Sequence, residues 1–196
     1  MPAELLLALC AFALVSSITP GPNNLMLMSS GANFGFKRTL PHMLGVGIGF
    51  SLMVFFVGIG LAQLFTAYPI SYTVLKVFSV VYLVYLAYKI ATSAAPEDQQ
   101  QNAKPISFLQ AAAFQWVNPK AWSMALTAVS VYSPSNSIDS IALVALIFGL
   151  VNIPSVTVWT MLGQQLQNFL TNNHRLRIFN GVMASLLIAS IFPVLS

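Results

Sequence analysis

One lysine stands inside a long apolar stretch of the chain. Lys120 lies near the middle of the 34 residues 105–138, which contain no other charged side chain. Placing a cation within a membrane costs at least about 2.5 kcal/mol, so an ionisable residue there indicates a functional site. Beside an aqueous path, its ammonium group can pair with a substrate carboxylate or exchange a proton. The alternative is a long side chain that reaches a nearby membrane interface.

A helix-breaking cluster, Thr-Pro-Gly-Pro-Asn-Asn, occupies residues 19–24. Proline within a helix removes a backbone donor and clashes with the preceding turn, which costs about 3 kcal/mol or more. Two prolines around a glycine are therefore predicted to open the helix, and the freed backbone must face protein or water rather than lipid. Its carbonyls and the amides of Asn23 and Asn24 can bind a polar solute. A helix that restarts at Pro22 directs its N-terminal end towards a carboxylate. The alternative is a kink that only shapes packing.

A second break is predicted just before Lys120, at Asn118 and Pro119, and Gln115 lies on the approach to it. Broken membrane helices at matching positions point to the substrate site of a transporter, so we predict that the two breaks form one site. The predicted substrate-binding residues are Pro20, Gly21, Pro22, Asn23, Asn24, Gln115, Asn118, Pro119 and Lys120.

The acidic residues are all predicted to lie at helix ends or in loops: Glu4, Glu97, Asp98 and Asp139. A proton or sodium site built on a mid-membrane carboxylate is therefore not expected. If transport is coupled to protons, the exchangeable proton must reside on Lys120, on His42 or on the substrate's own amine. The alternative interpretation of His42 is an interface residue at the cytoplasmic mouth of the second span.

The residue types also limit other functions. Cys10 is the single cysteine of the sequence, which excludes an internal disulfide, a CxxC redox pair and a thiolate metal cluster. An intramembrane hydrolase would need a nucleophile and a base together, and no mid-span His or Asp accompanies the many Ser and Thr residues. A net charge of +4 is too small and too dispersed to indicate nucleic-acid binding. We expect no enzyme activity, no metal and no cofactor.

The elements that position these residues are predicted to be transmembrane helices. The chain is 57% hydrophobic and 6% charged, whereas soluble domains carry about 25% charged residues. Residues 5–36, 39–75 and 140–174 contain no charge, and about 20 apolar residues cross a bilayer. The first segment continues past its break until residues 29–35 end it, and a softer interruption is expected at Asn152 and Pro154. The six predicted spans begin and end near residues 3–18, 40–65, 70–93, 107–132, 140–163 and 177–195.

The six spans divide into two halves of similar plan. Each half begins with a broken segment and continues through a glycine-bearing span, and Gly45 with Gly49 forms a spacing suited to close helix packing. Three spans per half give the second half the opposite polarity, as in inverted-repeat transporters. The predicted fold is an all-α membrane protein of six transmembrane helices, arranged as two inverted three-helix repeats. It forms one domain, with repeat one over 1–93, a cytoplasmic loop over 94–105 and repeat two over 106–196.

Basic residues occur in alternate connections, and the connections at 67–71 and 133–139 have none. Such residues mark the cytoplasmic side, so both termini are predicted to face outward unless the first segment is re-entrant. The basic residues of these connections are Lys37, Arg38, Lys89, Lys104, Arg175 and Arg177.

Through residues 19–24 and 118–120, the chain resembles the lysine exporter and homoserine/threonine resistance family of bacterial amino-acid exporters. Residues 91–93 and 104–108 are most similar to its cysteine and O-acetylserine exporter branch. The resemblance implies efflux of small amino acids across the bacterial inner membrane, driven by the proton-motive force. It also implies that residues 20–23 and 118–120 are the family's motif positions, whereas Lys76 departs from the branch.

Two functions remain open at this point. The first is a secondary exporter with a central site between the two halves. The second is a channel or passive pathway for small polar solutes, because broken helices also serve channels. The expected partners are a small amino-acid substrate and the lipid bilayer, with a homodimer as an open alternative.

Overall fold

The computed structural model describes residues 1–93, 104–133 and 137–192, and every regular element in these ranges is helical. The prediction of an all-α protein is confirmed. Most of the predicted polar segment 94–105, with Glu97 and Asp98, lies outside the described residues. In chain order, the elements are α1 (Ala3–Ile18), α2 (Pro22–Phe56), a π-helical turn (Val57–Leu61), α3 (Gln63–Ala67), α4 (Ile70–Ala91), α5 (Phe108–Gln115), α6 (Pro119–Tyr132), α7 (Ile138–Leu166) and α8 (Asn173–Ala189).

Both predicted helix breaks are present. Helix α1 ends at Ile18, and α2 begins with Pro22 in its first turn. Helix α5 ends at Gln115, and α6 begins with Pro119 after the extended residue Asn118. Proline fits the start of a helix, where its missing donor is not needed, and it keeps the preceding residue out of the helical region. Each proline motif therefore starts a new helix.

The chain reverses its direction at Gly35, inside the range of α2. Gly35 has a φ of 76°, a backbone conformation that glycine adopts readily. Ser30 Oγ lies 3.0 Å from His42 Nδ1, across 12 residues, whereas 12 residues of a straight helix rise about 18 Å. Residues 22–34 and 36–56 are therefore the two antiparallel limbs of a helical hairpin, named here the first limb and the second limb.

Several predicted boundaries need correction. The second span was predicted from residue 40 to 65, but the second limb starts directly after Gly35 and ends in a π-helical turn where Gly60 has a φ of 115°. Residues 29–34, predicted to end the first segment, continue its helix up to the reversal. The interruption predicted at Asn152 and Pro154 is wrong, because α7 passes through both residues without a break.

Glycines bring the first limb and α7 into backbone contact. A Cβ atom on Gly31 would collide with the carbonyl oxygen of Thr160, and one on Gly163 would collide with that of Met28. Such close approach is how membrane helices gain packing energy, since lipid gives them no hydrophobic reason to associate.

The predicted packing role of Gly45 and Gly49 is confirmed. A Cβ atom on Gly45 would collide with the carbonyl oxygen of Phe108, and one on Gly49 would lie 2.7 Å from Ala112 Cα. The second limb therefore lies against α5, just before the second break.

The outer surface is apolar enough for lipid. Within the described residues, three helical stretches have the length and composition to cross a membrane: Pro22–Leu61, Ile70–Ala91 and Ile138–Leu166. Large side chains such as Leu7, Leu109 and Phe192 are 70%, 74% and 80% exposed, and soluble monomers rarely expose such residues in large contiguous patches. The membrane assignment follows from this surface.

The reversal at Gly35 can be tested by cross-linking. In a Cys10→Ala background, the pair Ser30→Cys and His42→Cys is expected to form a disulfide on oxidation, because the two side chains meet. Loss of maleimide labelling after denaturation measures the cross-link. The control pair Ser30→Cys and Ser51→Cys should stay reduced, because residue 51 is about 13 Å further along the second limb. An uncross-linked Ser30→Cys/His42→Cys pair would argue for a straight α2.

Candidate functional site

Lys120 connects the two helix breaks. It stands in the first turn of α6, and its half-buried side chain extends to the end of α1. Its Nζ donates to the Thr19 carbonyl oxygen and to Thr19 Oγ1, both at 2.8 Å, and to the Pro20 carbonyl oxygen at 3.4 Å. The charged group predicted for the site is thus bound at the opened backbone of the first break.

The opened end of α1 is a cluster of backbone carbonyl oxygens, and other side chains bind it too. Asn24 Nδ2 donates to the carbonyl oxygens of Ser17 and Thr19, both at 2.8 Å. Trp159 Nε1, from α7, donates to the Ile18 carbonyl oxygen at 3.0 Å. The last carbonyls of a helix have no partner within it and form the negative end of its dipole. A cation is therefore stabilised at this point.

A reciprocal pair of amides joins the breaks a second time. Asn23 Nδ2 donates to Gln115 Oε1 at 2.8 Å, and Gln115 Nε2 donates to Asn23 Oδ1 at 3.1 Å. Gln115 is fully buried and also donates to the Ala111 carbonyl oxygen at 2.8 Å. Residues far apart in the sequence are held in one polar cluster.

The remaining predicted residues shape the backbone. Asn118 is buried and caps α6, because its Oδ1 accepts from the Lys120 backbone N–H at 3.1 Å. Pro22 and Pro119 start their helices, and Pro20 contributes its carbonyl oxygen to the ammonium group.

A cavity lies where the two breaks meet, and it is narrow. About 30 Å³ of it is wide enough for the centre of a water molecule, so this conformation has room for water but not for an amino acid. Five of the predicted residues line it. The lining residues are Ser16, Ser17, Gly21, Asn23, Asn24, Val46, Phe50, Asn118, Lys120, Ala121, Met124 and Asn152.

The electrostatic character of the cavity favours an anion. The first turns of α2 and α6 both border it, and their backbone N–H groups have no acceptor within the helix. Helix N-termini carry partial positive charge and bind carboxylates, and the ammonium of Lys120 adds a full charge. No Asp or Glu of the described residues lines the cavity.

His42, the other predicted coupling residue, lies apart from this cavity. It is fully buried in the second limb, where its Nδ1 contacts Ser30 Oγ, and its Nε2 has no hydrogen-bond partner among the described residues. His42 is therefore enclosed by protein in this conformation and not exposed at the protein surface. Asn33 of the first limb and Asn180 of α8 form a second reciprocal amide pair at 2.8 and 2.9 Å.

Two residues at the breaks escaped the sequence-based site. Trp159 binds the end of α1, and Asn152 lines the cavity, with Nδ2 donating to Ser17 Oγ at 3.4 Å. The available signal for Asn152 was a lone amide beside a proline inside an apolar span. For Trp159 the sequence carries no signal, because its partner is a backbone group of another helix.

The amide pair is expected to be cooperative. Replacing Asn23 by leucine removes the donor to the buried Gln115 Oε1, and replacing Gln115 removes both bonds of the pair from the half-buried Asn23 amide. Each change should lower the free energy of unfolding by about 1–3 kcal/mol. The double variant should lose clearly less than the sum of the two single losses. Chemical unfolding of the purified wild-type protein, the two single variants and the double variant measures the four free energies of unfolding. Additive losses would show that the two side chains do not form a pair.

Comparison with known proteins gives a consistent result. The family model of the LysE type translocator matches residues 14–191. The chain is 32% identical to the cysteine/O-acetylserine efflux protein of Escherichia coli O139:H28 (strain E24377A / ETEC) over 191 residues, which are 96% of both chains. It is 31% identical to the cysteine/O-acetylserine efflux proteins of Escherichia coli (strain K12) and Shigella sonnei (strain Ss046). These alignments also cover 191 residues and 96% of both chains. No solved structure matches the chain.

Proposed function

This chain belongs to the LysE type translocator family, and we propose that it is a secondary carrier that exports small uncharged amino acids of the cysteine and O-acetylserine kind. The family assignment confirms the resemblance inferred from the two proline motifs. Relatives that align along almost the whole chain are efflux proteins, which is consistent with a transporter rather than an enzyme.

The observation that carries the proposal is the convergence of both helix breaks on one cavity. The first turns of α2 and α6 and the ammonium group of Lys120 border it together. An α-carboxylate is the feature shared by all amino acids, and this arrangement supplies a full positive charge and the N-terminal ends of two helices to receive it.

The narrow cavity supports a carrier mechanism. Lys120 is bound to neutral carbonyl groups of Thr19 and Pro20, whereas a substrate carboxylate would add the attraction of a full opposite charge. A substrate carboxylate would therefore compete for the ammonium group and weaken the link between α6 and α1. Binding energy that differs between two conformations is what shifts their populations.

The proposed scaffold is a pair of inverted three-helix repeats with six spans. Support comes from the pairing of helices: α4 packs against α8, the long α2 packs against α7 and α5, and α1 packs against α7. Each element of one half thus meets an element of the other. Rocking of the two halves about the cavity would alternate access to it.

The proposal includes the bacterial inner membrane, several membrane passages and proton coupling. Lys37 and Arg38 directly follow the reversal at Gly35, which favours a cytoplasmic position for that turn. Glu4 and Asp139, the acids of the described residues, both lie in the first turns of helices. Lys120 is therefore the proposed proton carrier, and His42 is the second candidate.

Transport into inside-out vesicles tests the function. Vesicles that contain the protein should accumulate labelled O-acetyl-L-serine above the external concentration when a proton gradient is imposed. Accumulation should collapse when an uncoupler removes the gradient. Equilibration without accumulation, regardless of the gradient, would identify a channel or passive pathway. No uptake of any amino acid in a labelled panel would refute amino-acid export.

A further inference from the structure

The amide oxygen of Asn152 is an unused acceptor inside the protein. Asn152 is 6% exposed, and its Oδ1 is buried without a hydrogen-bond partner in the described part of the chain. A buried polar atom without a partner has lost its hydrogen bonds to water with nothing in exchange, which destabilises the folded state. Such atoms are rare in folded proteins, and each calls for an explanation.

The position of Asn152 supplies that explanation. It lines the cavity in which both helix breaks meet, and its Nδ2 donates to the hydroxyl of Ser17, another lining residue, at 3.4 Å. The donors of the cavity come from the breaks, whereas Asn152 offers an acceptor from α7.

We infer that Asn152 binds the α-ammonium group of the substrate. This inference rests on the proposed function, in which the α-carboxylate lies at the first turns of α2 and α6 beside Lys120. An ammonium group has three donors and no acceptor, so it matches a lone amide oxygen. A zwitterion placed in this way would satisfy both the positive and the negative ends of the cavity.

The apolar part of the cavity wall determines which substrate side chain fits. The lining side chains outside the polar cluster include Val46, Phe50, Ala121 and Met124. Because no carboxylate of the described residues faces the cavity, a second cationic group would be desolvated without a partner. The site therefore selects zwitterions with short uncharged side chains and rejects lysine and arginine.

The test compares an amino acid with the same molecule lacking its amine. Purified protein is equilibrated with labelled O-acetyl-L-serine, and unlabelled O-acetyl-L-serine, 3-acetoxypropanoate and L-lysine are added as competitors. In the wild-type protein, 3-acetoxypropanoate and lysine should compete at least about tenfold more weakly than O-acetylserine, the loss expected for one charged hydrogen bond. In Asn152→Leu, the affinity for O-acetylserine should fall about tenfold while that for 3-acetoxypropanoate stays, so the preference disappears.

Asn152→Asp serves as the matched variant, because it has the same shape and keeps acceptor oxygens. It should retain the preference for the amine-bearing molecule. If the leucine variant does not yield folded protein, Asn152→Ala carries the same expectation. An unchanged preference in the folded leucine or alanine variant overturns the inference and leaves the proposed export intact. Absence of O-acetylserine binding and transport in the wild-type protein would instead contradict the proposed substrate.

Discussion

Replacing Lys120 with methionine is expected to abolish export while leaving a folded protein. Methionine has similar length and no charge, so the substitution removes the donor to the Thr19 and Pro20 carbonyl oxygens. It also removes the cation proposed to receive the substrate carboxylate. Truncating one partner of a hydrogen-bonded charge pair costs about 2–5 kcal/mol, which corresponds to a fall in transport of about 30-fold or more.

The measurement is uptake of labelled O-acetyl-L-serine into inside-out vesicles, normalised to the amount of inserted protein. Lys104→Met is the control, because Lys104 is exposed and far along the chain from either break, and it should transport like the wild-type protein. Lys120→Arg keeps the charge and should retain part of the activity. Wild-type transport by Lys120→Met, still driven by a pH gradient, would exclude Lys120 from both substrate binding and proton coupling.

The two breaks could be predicted because their cause is local. Pro22 and Pro119 each impose a helix start on a few neighbouring residues, whatever the rest of the chain does. Lys120 stood out for a similar reason, since a charge in an apolar stretch needs a polar partner. The structure brings five of the predicted residues to one cavity, and their role in substrate binding stays a prediction.

The partners within the site could not be predicted, because they are set by tertiary packing. The hydrogen bond from Trp159 to the Ile18 carbonyl oxygen joins two residues that are 141 positions apart in the sequence. A connection between the first two spans was expected within residues 29–39, but the sequence did not place the reversal at Gly35. A single glycine between two phenylalanines gives no clear turn signal, and the φ of Gly35 together with the contact between Ser30 and His42 reveals where the helix folds back.

The end of α1 suggests where conformational change is concentrated. Its carbonyl oxygens are bound by the neutral donors Asn24 and Trp159 and by the charged donor Lys120. Asn24 lies in the same proposed half as α1, so under the proposed mechanism its bonds would persist when the halves move. Lys120 lies in the other proposed half, and an entering carboxylate would be a better partner for it. Under this proposal, the lysine bond is the link between the halves that depends on substrate.

Changing Gly163 to alanine is expected to destabilise the protein strongly. The added methyl group would overlap the carbonyl oxygen of Met28 and lie 3.0 Å from the backbone nitrogen of Ala32. Both obstacles are backbone atoms of the first limb, which cannot rotate away as a side chain can. Overpacking of this kind costs about 1–3 kcal/mol. Thermal unfolding in detergent should show a clear fall in the midpoint temperature.

The same substitution at Gly181 provides the matched control. Gly181 is also within a helix, and a Cβ atom there would meet nothing within 4 Å. Alanine is a better helix former than glycine by about 1 kcal/mol, so Gly181→Ala should be neutral or stabilising. Each variant adds one methyl group to the wild-type protein. The midpoint temperature of unfolding should fall for Gly163→Ala and should stay or rise for Gly181→Ala. Equal stability of the two would mean that the first limb and α7 are not in backbone contact. The first limb carries Asn23 and Asn24 and α7 carries Asn152, so the geometry of the cavity depends on that contact.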